Sequence, residues 1–272
     1  MPDASTLAIV IVSYNVRDDL DACLQSIVGR TLPRDTTIVV VDNASTDGTP
    51  DLIQARYPGV RVIETGENLG FARANNVGIR ATTSDFVLLL NPDTVVPDGA
   101  IQRLAQTLER SPDAACVGPR LVDAAGRPEL SFGWTISPIG ELRQKIVGAL
   151  YDRNVSAAAN WVERQTRASG AREWISAACL LARRSSLDAV GLFDERYFMY
   201  TEDVDLCASF RARGCTVLFD AGVTVTHRRG QSAATNPRTD VLRRQSQIAY
   251  YEKHHPGWVP LLRAYLKVTG KL

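Results

Sequence analysis

The sequence predicts an α/β protein whose first half is an open parallel sheet with helices on both faces. Two observations carry this. Residues 7–12, 37–41 and 86–90 are unbroken apolar runs rich in β-branched side chains, as expected of strands covered on both faces. The segments between them repeat apolar residues at helical spacing. Leu20, Cys23, Leu24, Ile27 and Val28 make one such face, with Asp18 or Asp19 near its start. The second strand ends at Asp42, and residues 60–63 give a shorter third. Residues 71–81 read as a helix, and the strand at 86–90 ends at Asn91-Pro92-Asp93. Ile101, Leu104, Ala105 and Leu108 then form another helical face. This alternation spans residues 1–110.

The second half is less regular. Residues 116–122 and 173–181 read as strands, 185–190 as a short helix and 203–213 as a longer one ending at Gly214. Residues 215–219 and 223–226 read as two short strands joined by a turn. Leu242, Ile248 and Ala249 place a helix over 239–254. Residues 134–172 mix polar and apolar positions without an assignable element. No repeat, low-complexity tract or linker divides the chain. Residues 1–255 are therefore expected to form one domain, with a nucleotide-binding half at 1–110 and an acceptor-binding half at 111–255. Residues 256–272 would form a helical tail.

Composition narrows the function classes. The 272 residues are 45% hydrophobic and 22% charged, and 31 basic against 30 acidic residues leave a net charge of +1. No strong field exists to hold nucleic acid. The five cysteines are scattered without a CxxC pair, so they read as buried thiols in a reducing compartment rather than zinc ligands or a disulfide framework. Met-Pro-Asp-Ala-Ser lacks the regions of a signal peptide. The longest apolar stretch, residues 174–182, falls short of the about 20 residues of a spanning helix. A cytoplasmic enzyme is the expectation.

Ligands of an open parallel sheet bind beyond the carboxyl ends of its strands. Those ends carry Ser13-Tyr14-Asn15, Asp42-Asn43-Ala44-Ser45 and Asn91-Pro92-Asp93. Each also serves as a turn or helix entry, but all three recur at one edge. Neither GxGxxG nor GxxxxGK[ST] is present, so a nucleotide diphosphate needs another counter-charge. A divalent cation on Asp93 supplies one. Downstream, Tyr200-Thr201-Glu202-Asp203-Val204-Asp205 crowds carboxylates at a helix entry, read either as capping or as a catalytic base. His227-Arg228-Arg229-Gly230 is read either as a solvated basic loop or as an anion and metal site.

At these residues the chain resembles the inverting family 2 glycosyltransferases. The resemblance covers residues 7–255 and rests on an ordered series. Ile11-Val12-Ser13-Tyr14-Asn15 and Val41-Asp42-Asn43-Ala44-Ser45 come first. Asn68-Leu69-Gly70-Phe71-Ala72-Arg73-Ala74-Asn75-Asn76, Leu89-Leu90-Asn91-Pro92-Asp93 and Trp174-Ile175-Ser176-Ala177-Ala178-Cys179 follow. Phe193-Asp194-Glu195, the stretch from Phe198 to Asp205, and His227 close the series. The nearest subgroup looks like bacterial rhamnosyltransferases of cell-wall and polysaccharide assembly.

The resemblance implies a GT-A fold, with a mixed, mainly parallel sheet flanked by helices. It implies that Ser13, Tyr14, Asn15 and Asp42 hold the donor base and ribose, and that Asn68, Arg73, Asn75 and Asn91 line the nucleotide and sugar. Asp93 and His227 would bind Mg²⁺ or Mn²⁺ at the diphosphate, beside Arg228 and Arg229. Asp203 would be the general base, with Glu202 and Trp174 on the acceptor side. The donor implied is dTDP-rhamnose, with UDP-hexoses behind it, and the acceptor a saccharide or lipid-linked saccharide.

Two departures stand out. Asn91 replaces the first acid of the family's Asp-X-Asp motif, and Ala177 replaces a glycine, which is expected to narrow a pocket. A sugar nucleotidyltransferase would carry a glycine- and basic-rich loop where Ser13-Tyr14-Asn15-Val16 stands. A non-catalytic sugar-nucleotide module would not need Glu202, Asp203 and His227 together. The tail, with Trp258, Leu261, Tyr265, Arg263 and Lys267, either packs on the domain or lies on an anionic membrane.

Overall fold

The computed structural model describes residues 5–33, 35–228 and 237–270. The first half runs β1 (Leu7–Ser13), α1 (Arg17–Ile27), β2 (Thr36–Asp42), α2 (Thr49–Arg56), β3 (Arg61–Glu64), α3 (Phe71–Arg80), β4 (Phe86–Leu90), β5 (Thr94–Val95) and α4 (Ala100–Glu109). The second half continues with β6 (Ala114–Val122), β7 (Phe132–Gly133), α5 (Pro138–Asp152), α6 (Ser156–Thr166), β8 (Gly170–Ala171), β9 (Trp174–Ile175), β10 (Cys179–Arg183) and α7 (Arg184–Val190). It ends with α8 (Glu202–Ala212), β11 (Thr216–His227), α9 (Pro237–His254) and α10 (Val259–Val268).

The main sheet has the order β3-β2-β1-β4-β10-β6-β11-β5, with β8 beside β11. Strands β3, β2, β1 and β4 are mutually parallel, as are β6 and β11. Strand β10 lies antiparallel between β4 and β6, so the sheet is mixed. Period-two alternation sends the side chains of β1 to two cores. Leu7, Ile9 and Ile11 join α1, α2 and α4 on one face, while Val10 and Val12 join α3, α7 and α8 on the other. Each such side chain contributes about 1.5–3 kcal/mol when buried. That is why no polar residue interrupts these strands before their ends.

The irregular half corrects two expectations and resolves residues 134–172, which the sequence leaves unassigned. Thr216–His227 form one strand, not two. Its pairing with β6 shifts between Asp220 and Thr224, and the Asp220 carboxylate accepts the Gly222 N–H at 2.9 Å, holding the irregularity. Residues 173–181 are two strands, because the chain breaks at Ser176, whose N–H donates to the Ser131 carbonyl at 2.7 Å. Residues 134–172 contain the α5–α6 hairpin. Ser137 caps α5 by accepting the Gly140 N–H at 3.0 Å, and Pro138 occupies its first turn. Tyr151, Ala158 and Val162 give the hairpin a small core of its own. In the tail, α10 buries Leu262 and Leu266 in the second main core. No helix among the described residues is long and apolar enough to cross a membrane.

The loop before α3 is held by a close backbone contact with Phe198. Gly70 has φ 80° and ψ 176°, a region open in practice only to glycine. A Cβ there would collide with the Phe198 carbonyl oxygen, which accepts the Phe71 N–H at 2.7 Å. Strain and overpacking therefore act together. Gly70→Ala is expected to lower stability by about 2 kcal/mol or more, read as a lower urea midpoint at unchanged slope. A wild-type midpoint would contradict this account of the loop.

Candidate active site

The polar strand ends meet where the sequence places them, at the carboxyl edge of the parallel strands. Ser13 and Asp42 are direct register partners on β1 and β2. Both are buried, and Ser13 Oγ and Asp42 Oδ1 have no hydrogen-bond partner among the described residues. Two orphaned acceptors side by side are costly unless a ligand satisfies them. The other Asp42 oxygen accepts the Ser45 N–H at 2.9 Å. Asn15 ties the neighbouring loops, accepting the Thr46 N–H at 2.8 Å while its own N–H donates to Ser45 Oγ at 3.0 Å. Tyr14 stands exposed beside them.

The next residues divide by role. Asn68 clamps its own loop, its Oδ1 accepting from Asn43 Nδ2 at 2.9 Å and the Gly70 N–H at 3.0 Å. Arg73 is exposed, 3.9 Å from Glu195. Asn75 is buried and turned back along α3, donating to the Phe71 carbonyl at 2.9 Å. Its side-chain N–H is thus engaged within its own helix.

A second centre forms where β4 and β11 end. His227 pairs with Thr94 across the β5–β11 ladder, which brings its ring to the Asn91-Pro92-Asp93 turn. Its Nε2 lies 3.2 Å from Asp93 Oδ1 and 3.4 Å from Asn91 Nδ2, and its Nδ1 lies 3.1 Å from Glu129 Oε2. Burial alone would lower the His227 pKa, but the two flanking carboxylates outweigh it and raise the value to about 9. The Arg228 N–H donates to the Asp93 carbonyl at 2.8 Å, leaving its side chain exposed. Arg229 lies outside the described residues. Glu129 was not singled out from the sequence, because it sits in an irregular segment that carries no motif.

Would this centre suit a divalent cation? The donors are hard or borderline: a carboxylate, an imidazole and the buried Asn91 Oδ1, which has no hydrogen-bond partner among the described residues. The set fits. Among the described residues no group of three His, Cys, Asp or Glu side chains is arranged to hold a metal alone, so oxygens of a bound diphosphate would have to complete the shell.

The third element is the entry to α8. Tyr200 and Thr201 both have positive φ, 72° and 74°, turning the chain sharply into the helix. Half-buried Asp203 accepts the Val204 N–H at 2.8 Å and the Ala177 N–H at 3.3 Å. Glu202 is buried beside it, with Oε2 unpartnered among the described residues. Burial raises the pKa of both, offset at Asp203 by those N–H groups and reinforced at Glu202 by the Asp203 charge. The two carboxyls thus differ in environment: Asp203 receives the Ala177 and Val204 N–H groups, while Oε2 of Glu202 has no partner among the described residues.

Asp203 and His227 line one cavity of about 370 Å³, together with Trp174, Tyr200, Arg243 and Arg244. Asp93 reaches this wall through His227. Trp174 is fixed there by its indole N–H, which donates to the Trp134 carbonyl at 3.0 Å. Glu202 does not line the cavity; it lies beneath, so direct contact with an acceptor is not where the structure puts it. The Ala177 methyl is buried in the second core rather than on the cavity wall, which corrects the expectation of a narrowed pocket.

The Glu202 environment makes a stability prediction. Its folded pKa is raised above the ordinary 4.5, so the favourable contribution of the neutral carboxyl is full below the unfolded pKa and is lost as pH rises through the folded one. Glu202→Gln cannot ionise. Its thermal stability relative to wild type should therefore rise as pH is raised from 4 to 8 in a melting series. A constant difference across that range would contradict a raised pKa at buried Glu202.

With this geometry in view, the comparisons are consistent. The family model for glycosyl transferase family 2 matches residues 8–162. An N-acetylglucosaminyl-diphospho-decaprenol L-rhamnosyltransferase of Mycobacterium tuberculosis is 33% identical over 98% of this chain and 94% of its own. Among solved structures, a Pyrobaculum calidifontis mannosyltransferase in complex with GDP-Man and Mn²⁺ superposes with a TM-score of 0.63 at 18% identity, covering 97% of this chain and 70% of that one. GalNAc-T7 with UDP, GalNAc and Mn²⁺ gives a TM-score of 0.65 at 16% identity, covering 93% and 48%. The fold is GT-A, and the chain belongs to glycosyl transferase family 2.

Proposed function

We propose that this glycosyltransferase moves L-rhamnose from dTDP-rhamnose, with inversion, to a hydroxyl of a lipid-linked saccharide. The mycobacterial relative's activity supports that donor sugar and acceptor class. The observation that carries the mechanism is the single cavity shared by Asp203 and His227.

In this reading Ser13 and Asp42 satisfy their orphaned oxygens on the donor nucleoside, with Tyr14 and Asn15 beside them and Asn68 holding the adjoining loop. Arg73 stands toward the sugar. Arg228, with Arg229 next in sequence, offsets charge on the departing diphosphate. Mg²⁺ or Mn²⁺, when bound, supplies Lewis-acid stabilisation of that leaving group, and Asp93 and His227 would hold it, with Asn91 Oδ1 adjacent. Glu129 fixes the orientation of the His227 ring through Nδ1.

Asp203 takes the proton of the acceptor hydroxyl at Oδ. Burial raises its basicity above that of an exposed aspartate, and the Ala177 and Val204 N–H groups work against that by favouring the carboxylate. The attacking oxygen reaches the anomeric carbon opposite the nucleotide, so the configuration inverts. Glu202 lies buried beside Asp203 and supports its position. Trp174 offers an apolar face to the acceptor sugar.

Asp203→Asn should lower kcat by about 10²–10⁴-fold while calorimetric affinity for the donor nucleotide is retained. Wild-type turnover would remove Asp203 from the role of base. Glu129→Gln should weaken Mn²⁺-dependent nucleotide binding about 10–100-fold, with Asp93→Ala more severe. Equal affinities with and without Mn²⁺ in the wild-type protein would remove the cation from this site.

A further inference from the structure

Helix α5 is amphipathic the wrong way round for a helix that serves only the core. Ile139, Leu142, Ile146 and Leu150 are 67%, 59%, 50% and 38% exposed. At about 100° per residue these four fall within an arc of about 80°. Arg143 and Arg153 are exposed on the same side, and neither forms an ion pair among the described residues. The acids of this helix, Glu141 and Asp152, fall on the opposite side. The outer face is therefore apolar and cationic, with no carboxylate on it.

The helix's other side borders the active site. Glu141 and Lys145 line the cavity that holds Asp203, and Glu141 also accepts from Gln247 of α9 at 2.7 Å. The inward flank of α5 packs on α6 in the small core around Tyr151 and Val162. One helix thickness, about 10 Å, thus separates the exposed row from the cavity wall.

We infer that the outer face of α5 docks this enzyme on an anionic lipid bilayer. Apolar side chains flanked by arginines suit the boundary between acyl chains and negatively charged headgroups. A second copy of this chain fits less well, because a symmetric pairing through this face would bring Arg143 and Arg153 against each other without a neutralising acid. Helix α10 also exposes a row, Trp258, Leu261, Tyr265 and Val268, but Arg263 and Lys267 lie away from that row, and Arg263 is paired with Glu252 at 2.8 Å. Charge complementarity therefore singles out α5. The docking does not rest on the identity of the acceptor, although it would place a lipid-linked saccharide next to the cavity.

Flotation with vesicles of phosphatidylcholine and phosphatidylglycerol, with no acceptor lipid present, tests the docking separately from the transfer reaction. The wild-type protein should float with these vesicles and only weakly with phosphatidylcholine alone. Leu142→Gln with Ile146→Gln should lower partitioning about tenfold or more, and Arg143→Gln with Arg153→Gln should abolish the preference for anionic lipid. Leu261→Gln with Val268→Gln should float like wild type. All three double variants should keep the wild-type melting temperature and nucleotide affinity, since none of these residues lines the cavity. The inference is overturned if the wild-type protein stays at the bottom of the gradient, or if the folded α5 variants float unchanged. It is equally overturned if sedimentation shows a dimer without vesicles that the Leu142 and Ile146 changes dissolve while vesicle binding persists.

Discussion

The imidazole of His227, held between Asp93 and Glu129, is the contact on which the rest of the site depends. It joins the end of β4 in the first half of the chain to the end of β11 in the second and to the loop carrying Glu129. Isolated carboxylates at this depth would face a desolvation penalty of several kcal/mol each. The ring between them offsets that penalty and sets the distance across the cleft. Asn91 adds its amide 3.4 Å from the same ring, so Asp93, Asn91 and Glu129 all meet at His227.

Across the cavity the same physics separates two neighbouring carboxyls. Asp203 receives the Ala177 and Val204 N–H groups, which favour its carboxylate, whereas burial and the Asp203 charge push the Glu202 pKa up. Environment, rather than residue type, sets the two carboxyls apart. The helix that carries them is pinned by a third acid. Buried Asp205 accepts from Tyr197 at 3.2 Å and Lys253 at 2.8 Å, and lies 2.6 Å from His254. Through these bonds α9 fixes the angle at which α8 presents Asp203 to the cavity, while Arg243 and Arg244 of α9 form part of the cavity wall.

What the sequence reveals and conceals follows from burial. Strands β1, β2 and β4 are legible because both faces are covered, which leaves no position free to be polar until the strand ends. Ser13, Asp42 and Asn91 are legible for the same reason, as the first polar residues past those runs, and Asp93 follows in the same turn as Asn91. Helices α5 and α6 are hidden because the apolar period of α5 points outward, so its pattern does not mark a core. Glu129 is hidden because its role depends on β11 returning to its side, which no local spacing encodes. Asn75 shows the converse: its motif is plain in sequence, yet its amide is used within its own helix.

The most direct test is to locate the cation itself by anomalous scattering from a crystal grown with Mn²⁺ and a nucleoside diphosphate. The account predicts a single strong peak bridging Asp93, His227 and the diphosphate, on the wall of the cavity that Asp203 lines. Manganese bound elsewhere, with Asp93 and His227 still paired to each other, would contradict it.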